Sequence, residues 1–314
     1  MRSDTPAVDG DGETRLSLDR LLDMRLSLLA GGGRSLRGLT HFPGLVRGPK
    51  RGHGLDFDDL RAYADGDDVR HIDWNVTART GKPHTRLYRE ERERAITVAV
   101  DMRACMFTGT ASLKAVKAGE LAAAILWQAS SDGDRAGAAT FSGSGMAASR
   151  PAAGAKGALA GAGLIAETFE AARAATQNNA PTEEPYLADC IGWLNGAGRA
   201  AGAALLITGL DDAGDAFDAA ILEAGRRRKL AVIHLLDPSE ADGLPPGRYA
   251  YVGPHGNGLY RADEAARGAL AEQLAARRAA LHAKLEAAMV PVLTVVAGTP
   301  PSDVLMALEA GGWL

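Results

Sequence analysis

The chain has 314 residues, a formal net charge of −4 at pH 7 and a hydrophobic content of 46%. This length accommodates one large domain plus an N-terminal addition, and the hydrophobic content suffices for a buried core. The slight acidity argues against general binding to nucleic acid or anionic membranes. Two cysteines, Cys105 and Cys190, form no CxxC pair, which fits a reducing cytoplasm. Without a secretory signal or an apolar run of about 18–20 residues, we expect a cytoplasmic protein that is not inserted into a membrane.

The N-terminal part of the sequence is divided by its polarity and its glycines. Residues 1–14 are polar and rich in Gly and Asp, so we expect a disordered tail. Residues 15–30 space their leucines as an amphipathic helix does, and a triple glycine ends that helix. We therefore expect the tail, then a helix with a charged and aromatic extension over 15–94, then a domain over 95–314.

The stretch from 54 to 94 is the densest in charge, aromatic residues and turn residues. Its first apolar residues recur every three positions, which predicts a short helix or turn, at Phe57, Leu60 and Tyr63. Its glycines and alternating residues predict two turns and a strand, at 64–68, 80–83 and 84–88. Residues 34–53, before this stretch, favour a loop with short strands.

From residue 95 onward, short apolar strands alternate with helices. Strands are predicted at 95–101, 136–141, 203–209, 230–237 and 290–298. Helices are predicted at 111–131, 159–172, 182–197, 216–228, around 270–285 and at 302–311. Residues 247–261 are typical of a β-hairpin. Apolar strands separated by helices indicate a mostly parallel, doubly wound sheet covered on both faces, so the predicted fold class is α/β.

In such a sheet, binding sites form beyond the carboxyl ends of the strands. Asp101 closes the first predicted strand of this region. An Asp in that place resembles the first ligand of the metal-ion-dependent adhesion site of von Willebrand factor A domains. In that family, the motif Asp-x-Ser-x-Ser is completed by a distant Thr and a distant Asp. Hard oxygen ligands of this kind hold Mg²⁺.

The sequence departs from this motif at several positions. Arg103 and Cys105 stand where the family has serines, and Thr208 is followed by glycine. The next carboxylates, at Asp211 and Asp212, come two residues late, although a loop could bring one of them back. An arginine beside Asp101 would occupy the place of a cation with its own charge.

We therefore expect a degenerate site that holds no metal, around Asp101, Cys105, Thr208 and Asp211. Two interpretations of the Asp101–Arg103 pair remain open at this point. The pair either shapes a loop only, or it forms part of a docking surface that works without metal.

A long motif in the charged stretch resembles the domain of unknown function 58 family. It consists of Gly54-Leu-Asp-Phe57, Leu60-Arg61-x-Tyr63, Gly66-Asp-Asp-Val-Arg70-x-Ile72-Asp-Trp74, Ala78-Arg79 and Glu90-Glu91. The resemblance covers roughly residues 45–310 and is strongest over 54–109. It implies a von Willebrand A-like accessory protein, not an enzyme, that works beside a MoxR-type AAA+ ATPase on client complexes. Many members carry two N-terminal transmembrane helices, and we expect none in this chain.

The motif residues have two interpretations, which are compatible. In the structural one, Asp67 or Asp68 accepts from backbone N–H groups, Arg70 pairs with Asp73, and Trp74 buries its ring. In the functional one, the motif supplies a partner-binding surface, because Trp, Tyr and Arg are enriched at binding hot spots. The predicted partner-binding residues are Arg61, Arg70, Asp73, Trp74, Arg79, Asp101 and Arg103.

Three functional hypotheses follow. The leading one is the adaptor for a MoxR-type ATPase, with an unidentified client. The alternative is a Mg²⁺-dependent von Willebrand A-type ligand-binding domain that uses Asp101, Thr208 and Asp211 or Asp212. We do not favour an enzyme built on the clustered aspartates, because they crowd a turn with arginines and show no acid/base division of labour. His234, in an apolar strand, is interpreted as a core histidine.

Overall fold

The computed structural model describes residues 13–30, 56–64, 67–89, 95–178, 183–197, 202–227, 229–253 and 256–310. The chain divides into two compact units, which are Met1–Gly44 with Arg94–Leu314, and Leu45–Glu93. The predicted loop over 34–53 and most of the predicted tail lie outside the described residues. Glu13 and Thr14 form a turn.

The larger unit alternates strands and helices as predicted. Its main strands are β3 (Ala95–Asp101), β4 (Arg135–Ser142), β7 (Ala203–Thr208), β8 (Lys229–Leu236) and β11 (Val292–Val296). Its helices are α1 (Leu18–Ala30), α3 (Lys114–Ser131), α4 (Ala155–Gln177), α5 (Leu187–Ala197), α6 (Phe217–Arg227), α7 (Pro238–Asp242), α8 (Glu264–Ala287) and α9 (Pro301–Ala310). The predicted hairpin is present as β9 (Gly247–Gly253) and β10 (Gly256–Ala262).

Two short strands were not predicted. β5 (Gly145–Ala148) and β6 (Ala152–Ala153) both pair antiparallel with β4. Their residues are mainly Gly and Ala, which carry weak strand propensity, so pairing with the edge of β4 decides their conformation. Among the described residues, none of the helices has the length and apolarity required to cross a bilayer.

The main sheet has the strand order β11-β8-β7-β3-β4-β5. The neighbouring pairs from β11 to β4 are all parallel, which confirms an α/β fold with a mostly parallel sheet. The chain enters the sheet at β3, continues to β4 on one side, and then crosses to β7 on the other side. The topological switch point therefore lies between the carboxyl ends of β3 and β7, where doubly wound sheets bind ligands.

Helices cover both faces of this sheet. One buried cluster unites α1, α3, α4 and α9 with alternate residues of β3, such as Val98 and Val100. The other unites α5, α6 and α8 with the opposite face, including Ala99 and Leu206. Because successive side chains of a strand point to opposite faces, one fully apolar strand serves both clusters.

Helix α1 belongs to the larger unit, whereas the predicted division of the chain placed it in the N-terminal extension. Leu16 and Leu21 are fully buried in the cluster that contains α3. The indole Nε1 of Trp127 donates to the carbonyl of Leu21 at 3.0 Å. Gly119 allows this close approach, because a Cβ there would lie 2.3 Å from Leu16 Cδ2. Helical spacing places the leucines of α1 on one side, and their burial in this cluster explains why α1 belongs to the larger unit.

The smaller unit is built on an antiparallel pair of strands. β1 (Asp56–Ala62) pairs with β2 (His84–Arg89), and the helix α2 (Trp74–Thr80) lies in the connection between them. The predicted helix or turn through Phe57 and Leu60 is wrong, because these residues lie in β1. The register shifts between Phe57 and Asp59. Such a bulge inserts one extra residue into the alternation of side chains between the two faces of a strand. Apolar residues of one strand can then be three positions apart, which is also the spacing expected in a helix.

The second predicted turn and the predicted strand of this unit are present, whereas residues 65–66 of the first predicted turn lie outside the described residues. The N–H of Asp67, which flanks them, donates to Ala64 O at 3.0 Å. Gly81 takes φ +69° at the end of α2, where the backbone requires the left-handed region. Strand β2 then begins at His84.

Candidate functional site

The carboxyl ends of β3 and β7 bring two predicted site residues together. Asp101 ends β3 and Thr208 ends β7, and these strands are hydrogen-bonded neighbours. The hydroxyl of Thr208 donates to Asp101 Oδ2 at 2.7 Å, and both side chains are fully buried. Residues 107 apart in sequence therefore meet at the switch point, as the α/β prediction requires.

Arg103 completes this arrangement. Its Nε and Nη2 donate to the two carboxylate oxygens of Asp101 at 2.9 and 2.8 Å. The remaining N–H groups face backbone carbonyls, those of Pro185, Asp211 and Asp212, at 2.8–3.3 Å. All five N–H donors of the guanidinium thus have acceptors. We call Asp101, Arg103, Thr208 and these carbonyls the switch-point network.

The electrostatics of this network favour the charged arginine. Burial alone disfavours a cation, but the adjacent Asp101 carboxylate outweighs it and raises the pKa of Arg103. The pair is nearly inaccessible, because Arg103 is 1% exposed. The predicted ion pair is therefore confirmed. The two side chains join loops at the ends of β3 and β7, and their role in partner binding stays a prediction.

The network connects three loops. Arg103 lies in the loop after β3, Asp211 in the loop after β7, and Pro185 before α5. A second contact strengthens the link to α5, since both carboxylate oxygens of Glu184 accept from the N–H of Ala104, at 2.8 and 2.9 Å. Partial burial raises the pKa of Glu184, against the opposing effect of this hydrogen bond.

These residues do not fit a Mg²⁺ ion. Both oxygens of Asp101 already accept hydrogen bonds from Arg103, and the guanidinium fills the space in front of the carboxylate. Magnesium requires near-octahedral oxygen ligands at about 2.0–2.1 Å, and a guanidinium supplies only donors. Across the described residues, His, Cys, Asp and Glu form no group of three or more that could hold a metal ion.

A second ion cluster lies beside the network. Lys114, the first residue of α3, is 1% exposed, and its Nζ lies 3.2 Å from Asp211 Oδ2 and 2.8 Å from Glu240 Oε1. Burial opposes its charge, but these two carboxylates outweigh burial and raise the pKa of Lys114. Gly209 leaves room for the cluster, because a Cβ there would lie 3.0 Å from Lys114 Nζ.

A further carboxylate, Asp237, ties the loop after β3 to the end of β8. Its oxygens accept from the N–H and the hydroxyl of Thr110, at 2.7 and 2.8 Å. It also caps α7 through Ser239, in a capping box with Glu240. Burial disfavours the charged carboxylate, but donors from Ser239 and Thr110 prevail and lower the pKa of Asp237.

Two histidines contact each other near the end of β8. Nδ1 of His234, in β8, lies 2.8 Å from Nε2 of His282, in α8. The other ring nitrogen of His234 lies 3.1 Å from the carbonyl of Gly209. His234 is 3% exposed, which confirms the interpretation as a core histidine. Burial, together with the neighbouring His282, lowers the pKa of His234 to about 3. Both neutral rings can satisfy this geometry if His282 donates to His234 and His234 donates to Gly209.

Neither cysteine is arranged as a nucleophile. Burial raises the pKa of the Cys105 thiol and raises that of Cys190 to about 12. A thiol rather than a thiolate is therefore present at neutral pH.

In the smaller unit, the aspartates of the motif serve as backbone caps. Asp68 Oδ1 accepts from the N–H of Arg70 at 2.9 Å, and Asp73 Oδ1 accepts from Asn75 and Val76 at 3.0 and 3.1 Å. Asp67 accepts from the N–H of Ala64 and pairs with Arg61 at 2.5 Å. The prediction that motif aspartates bind backbone N–H groups is confirmed.

The prediction that Trp74 buries its ring is wrong, because the side chain is 67% exposed. Asp73 is buried at the start of α2 and fixes the helix on which Trp74 stands. Arg70 and Arg79 are also exposed. Of the predicted partner-binding residues, Arg70, Trp74 and Arg79 therefore lie at the surface of the smaller unit.

Several residues at this edge of the larger unit were not predicted as site residues, among them Lys114, Asp237 and His282. Lys114 carried a signal, since a cation in the first turn of a helix opposes the helix dipole and so requires a compensating contact. Asp237 also carried one, because Asp-Pro-Ser-Glu matches a capping box. His282 carried none, since one histidine on a long helix is not distinguishable from a surface residue.

Comparison with known proteins identifies related sequences of unknown function. The model of a family described as "Protein of unknown function DUF58" matches residues 59–280. Uncharacterized proteins from Mycobacterium bovis and Mycobacterium tuberculosis are each 42% identical over 104 residues, which is 33% of this chain. The match covers 32% of the length of each of these relatives, so the chain spans about a third of them.

A solved structure was also found, the crystal structure of an uncharacterized membrane-spanning protein from Vibrio fischeri. It is 14% identical, and the alignment covers 68% of this chain and 98% of that one, with a TM-score of 0.16. A likeness at this level supports no conclusion about this chain.

Proposed function

This chain belongs to the DUF58 family of proteins of unknown function, and from that premise we propose that it is a non-enzymatic adaptor. In this proposal it binds a MoxR-type AAA+ ATPase in the cytoplasm, and the pair remodels or matures a client complex. The smaller unit supplies the primary contact through Trp74 and the arginines near it.

The observation that carries the proposal is the exposure of Trp74. A tryptophan that is 67% exposed leaves a large apolar surface in water, which is unfavourable unless a partner covers it. Val69, only five positions earlier, is 59% exposed. Arg70 and Arg79 are exposed in the same short segment. Tryptophan and arginine are the residues most enriched at binding hot spots.

The backbone under this surface is fixed before binding. Asp68 caps the short 3₁₀ turn that carries Arg70, and Asp73 caps α2 just before Trp74. Asp73 N donates to His84 O at 2.8 Å, which attaches the start of α2 to strand β2. A surface held in one conformation loses less entropy when a partner binds. Caps of this kind thus support a role in recognition.

The identity of the partner rests on the sequence resemblance, and two features of the larger unit agree with it. The strand order and an aspartate at the end of β3 support a von Willebrand A-like domain. The Arg103 guanidinium in front of Asp101 supports an adaptor that does not recruit Mg²⁺ for binding.

Binding of the purified MoxR-type ATPase encoded by the same organism tests the proposal. We would measure the dissociation constant by biolayer interferometry with ATP and Mg²⁺, for the unaltered chain and for Trp74→Ala. Truncating a hot-spot tryptophan costs about 2–4 kcal/mol of binding energy, so we expect affinity to fall by roughly 30-fold or more. Arg70→Ala should weaken binding in the same direction.

Leu259→Ala is the matched control, because Leu259 is 65% exposed and lies in the larger unit. Its affinity should equal that of the unaltered chain. Thermal unfolding would verify that each variant is folded, as expected for exposed positions. If folded Trp74→Ala and the unaltered chain have equal affinity, the Trp74 surface is not the contact with the ATPase. If the unaltered chain shows no binding, the MoxR-type ATPase is not its partner.

A further inference from the structure

Asp101 is a fully buried carboxylate, and such a charge is strongly destabilising unless a cation compensates it. The compensating charge lies two residues away, on Arg103 in the loop that follows β3, with Nη2 to Oδ2 at 2.8 Å. The hydroxyl of Thr208 also donates to this carboxylate. Side chains of the protein itself therefore supply both the cation and the hydrogen bonds that the buried Asp101 carboxylate requires.

We infer that the guanidinium of Arg103 is the permanent cation of the switch-point network and holds its three loops together without a divalent metal. The inference goes beyond the proposed function and does not depend on it. It states what keeps this edge of the sheet in one conformation, whichever partner the protein has.

The shape of the site selects a guanidinium over a compact cation. Arg103 makes a two-point contact with the carboxylate and reaches three backbone carbonyls, those of Pro185, Asp211 and Asp212. A planar cation with five donors fits this set of acceptors. A lysine ammonium has three donors and no planar fork, so it would leave acceptors unsatisfied.

The loops joined by Arg103 are otherwise far apart in sequence. Asp211 follows β7, and Pro185 precedes α5. Leu210 and Asp212 adopt positive φ, +56° and +47°, which non-glycine residues rarely do. The carbonyls of Asp211 and Asp212, which belong to this turn, both accept from Arg103. Removal of the cation should therefore loosen the turn, although backbone hydrogen bonds from Leu187 and Ala188 to Asp212 and Ala213 still join it to α5.

The experiment is chemical rescue of Arg103→Ala, followed by thermal unfolding of the full chain. Deleting one partner of a buried ion pair should lower Tm on the order of 10 °C. Methylguanidinium at millimolar concentration should raise the Tm of the variant by several degrees, whereas MgCl₂ at the same concentration should not. The unaltered chain should have equal Tm in EDTA and in MgCl₂.

Arg173→Ala is the matched control, since Arg173 pairs with the exposed Glu170 on α4. It should show neither the large loss of Tm nor rescue. A Tm of Arg103→Ala that rises with MgCl₂, or that does not respond to methylguanidinium, overturns the inference. Calorimetric binding of Mg²⁺ or Mn²⁺ to the unaltered chain overturns it as well.

If Arg103→Ala does not fold, two variants replace it. Arg103→Met leaves the buried Asp101 charge unpaired, whereas the double variant Asp101→Asn/Arg103→Met removes both charges. The double variant should have the higher Tm, because the unpaired carboxylate causes most of the loss. A double variant no more stable than the single one would show that Arg103 acts through packing alone.

Discussion

Replacing His234 by glutamine should remove part of the protein's sensitivity to acid. His234 is buried and its pKa is lowered to about 3, against an ordinary value near 6.5 in an unfolded chain. The unfolded state therefore binds more protons than the folded state at any pH between these values. Stability from the neutral ring is complete above pH 6.5 and is lost as pH falls toward 3.

The magnitude follows from these two pKa values. Each pH unit within this window corresponds to about 1.4 kcal/mol for one proton, and the effect begins gradually near the upper limit. Between pH 7.5 and pH 5 the histidine should therefore cost the folded protein about 2 kcal/mol. A glutamine at the same position does not titrate, so this contribution disappears in the variant. At pH 7.5 the variant should be the less stable protein, because the contacts to His282 and Gly209 are weakened.

The assay is urea denaturation at pH 7.5, 6 and 5, followed by circular dichroism at 222 nm. Among the described residues, the α-helices belong to the larger unit except for the seven-residue α2, so unfolding of the larger unit dominates the signal. The quantity of interest is the stability difference between the variant and the unaltered chain, which should shrink by about 2 kcal/mol between pH 7.5 and pH 5. His71→Gln, in the smaller unit, is the control. A difference that is the same at all three pH values would refute the assignment of a neutral buried ring.

Two further substitutions test the ion cluster of Lys114 and the packing of Leu16 against α3. Lys114→Met should lower the free energy of unfolding by roughly 2–4 kcal/mol in urea denaturation, because it leaves two carboxylates without their buried cation. The control is Lys117→Met, because the side chain of Lys117 is more exposed; this substitution should cost less than about 1 kcal/mol. Equal losses in the two variants would show that burial of the Lys114 cluster does not add to stability. Gly119→Ala should lower Tm and increase hydrogen exchange in α1, because the added Cβ lies 2.3 Å from Leu16 Cδ2. The control is Gly163→Ala, because a Cβ at Gly163 would meet nothing within 4 Å; this variant should be neutral or stabilised by up to about 1 kcal/mol. Similar results for Gly119→Ala and Gly163→Ala would contradict the close contact between Gly119 and Leu16.

Local patterns in the sequence determined much of the larger unit. The run Ala95–Asp101 is apolar and β-branched, and it forms β3 with the same bounds. Burial on both faces requires such a run, so composition alone identifies the strand. The contact between Asp101 and Arg103 was also predictable. The two residues carry opposite charges and are two positions apart at the end of a strand, so they can meet without help from the rest of the fold. The bulge in β1 was not predictable, because a shifted alternation imitates another period.

Contacts between distant residues were decided by the tertiary structure alone. Thr208 reaches Asp101 because β7 crosses to the other side of β3, and the sequence does not contain that strand order. The same crossing brings Asp211 to Lys114. The exposure of Trp74 was likewise decided by tertiary structure, since an aromatic residue in a charged motif is equally compatible with a buried and an exposed ring. Sequence periodicity reports which face of an element is apolar, whereas pairing and burial depend on elements that come together only when the chain is folded.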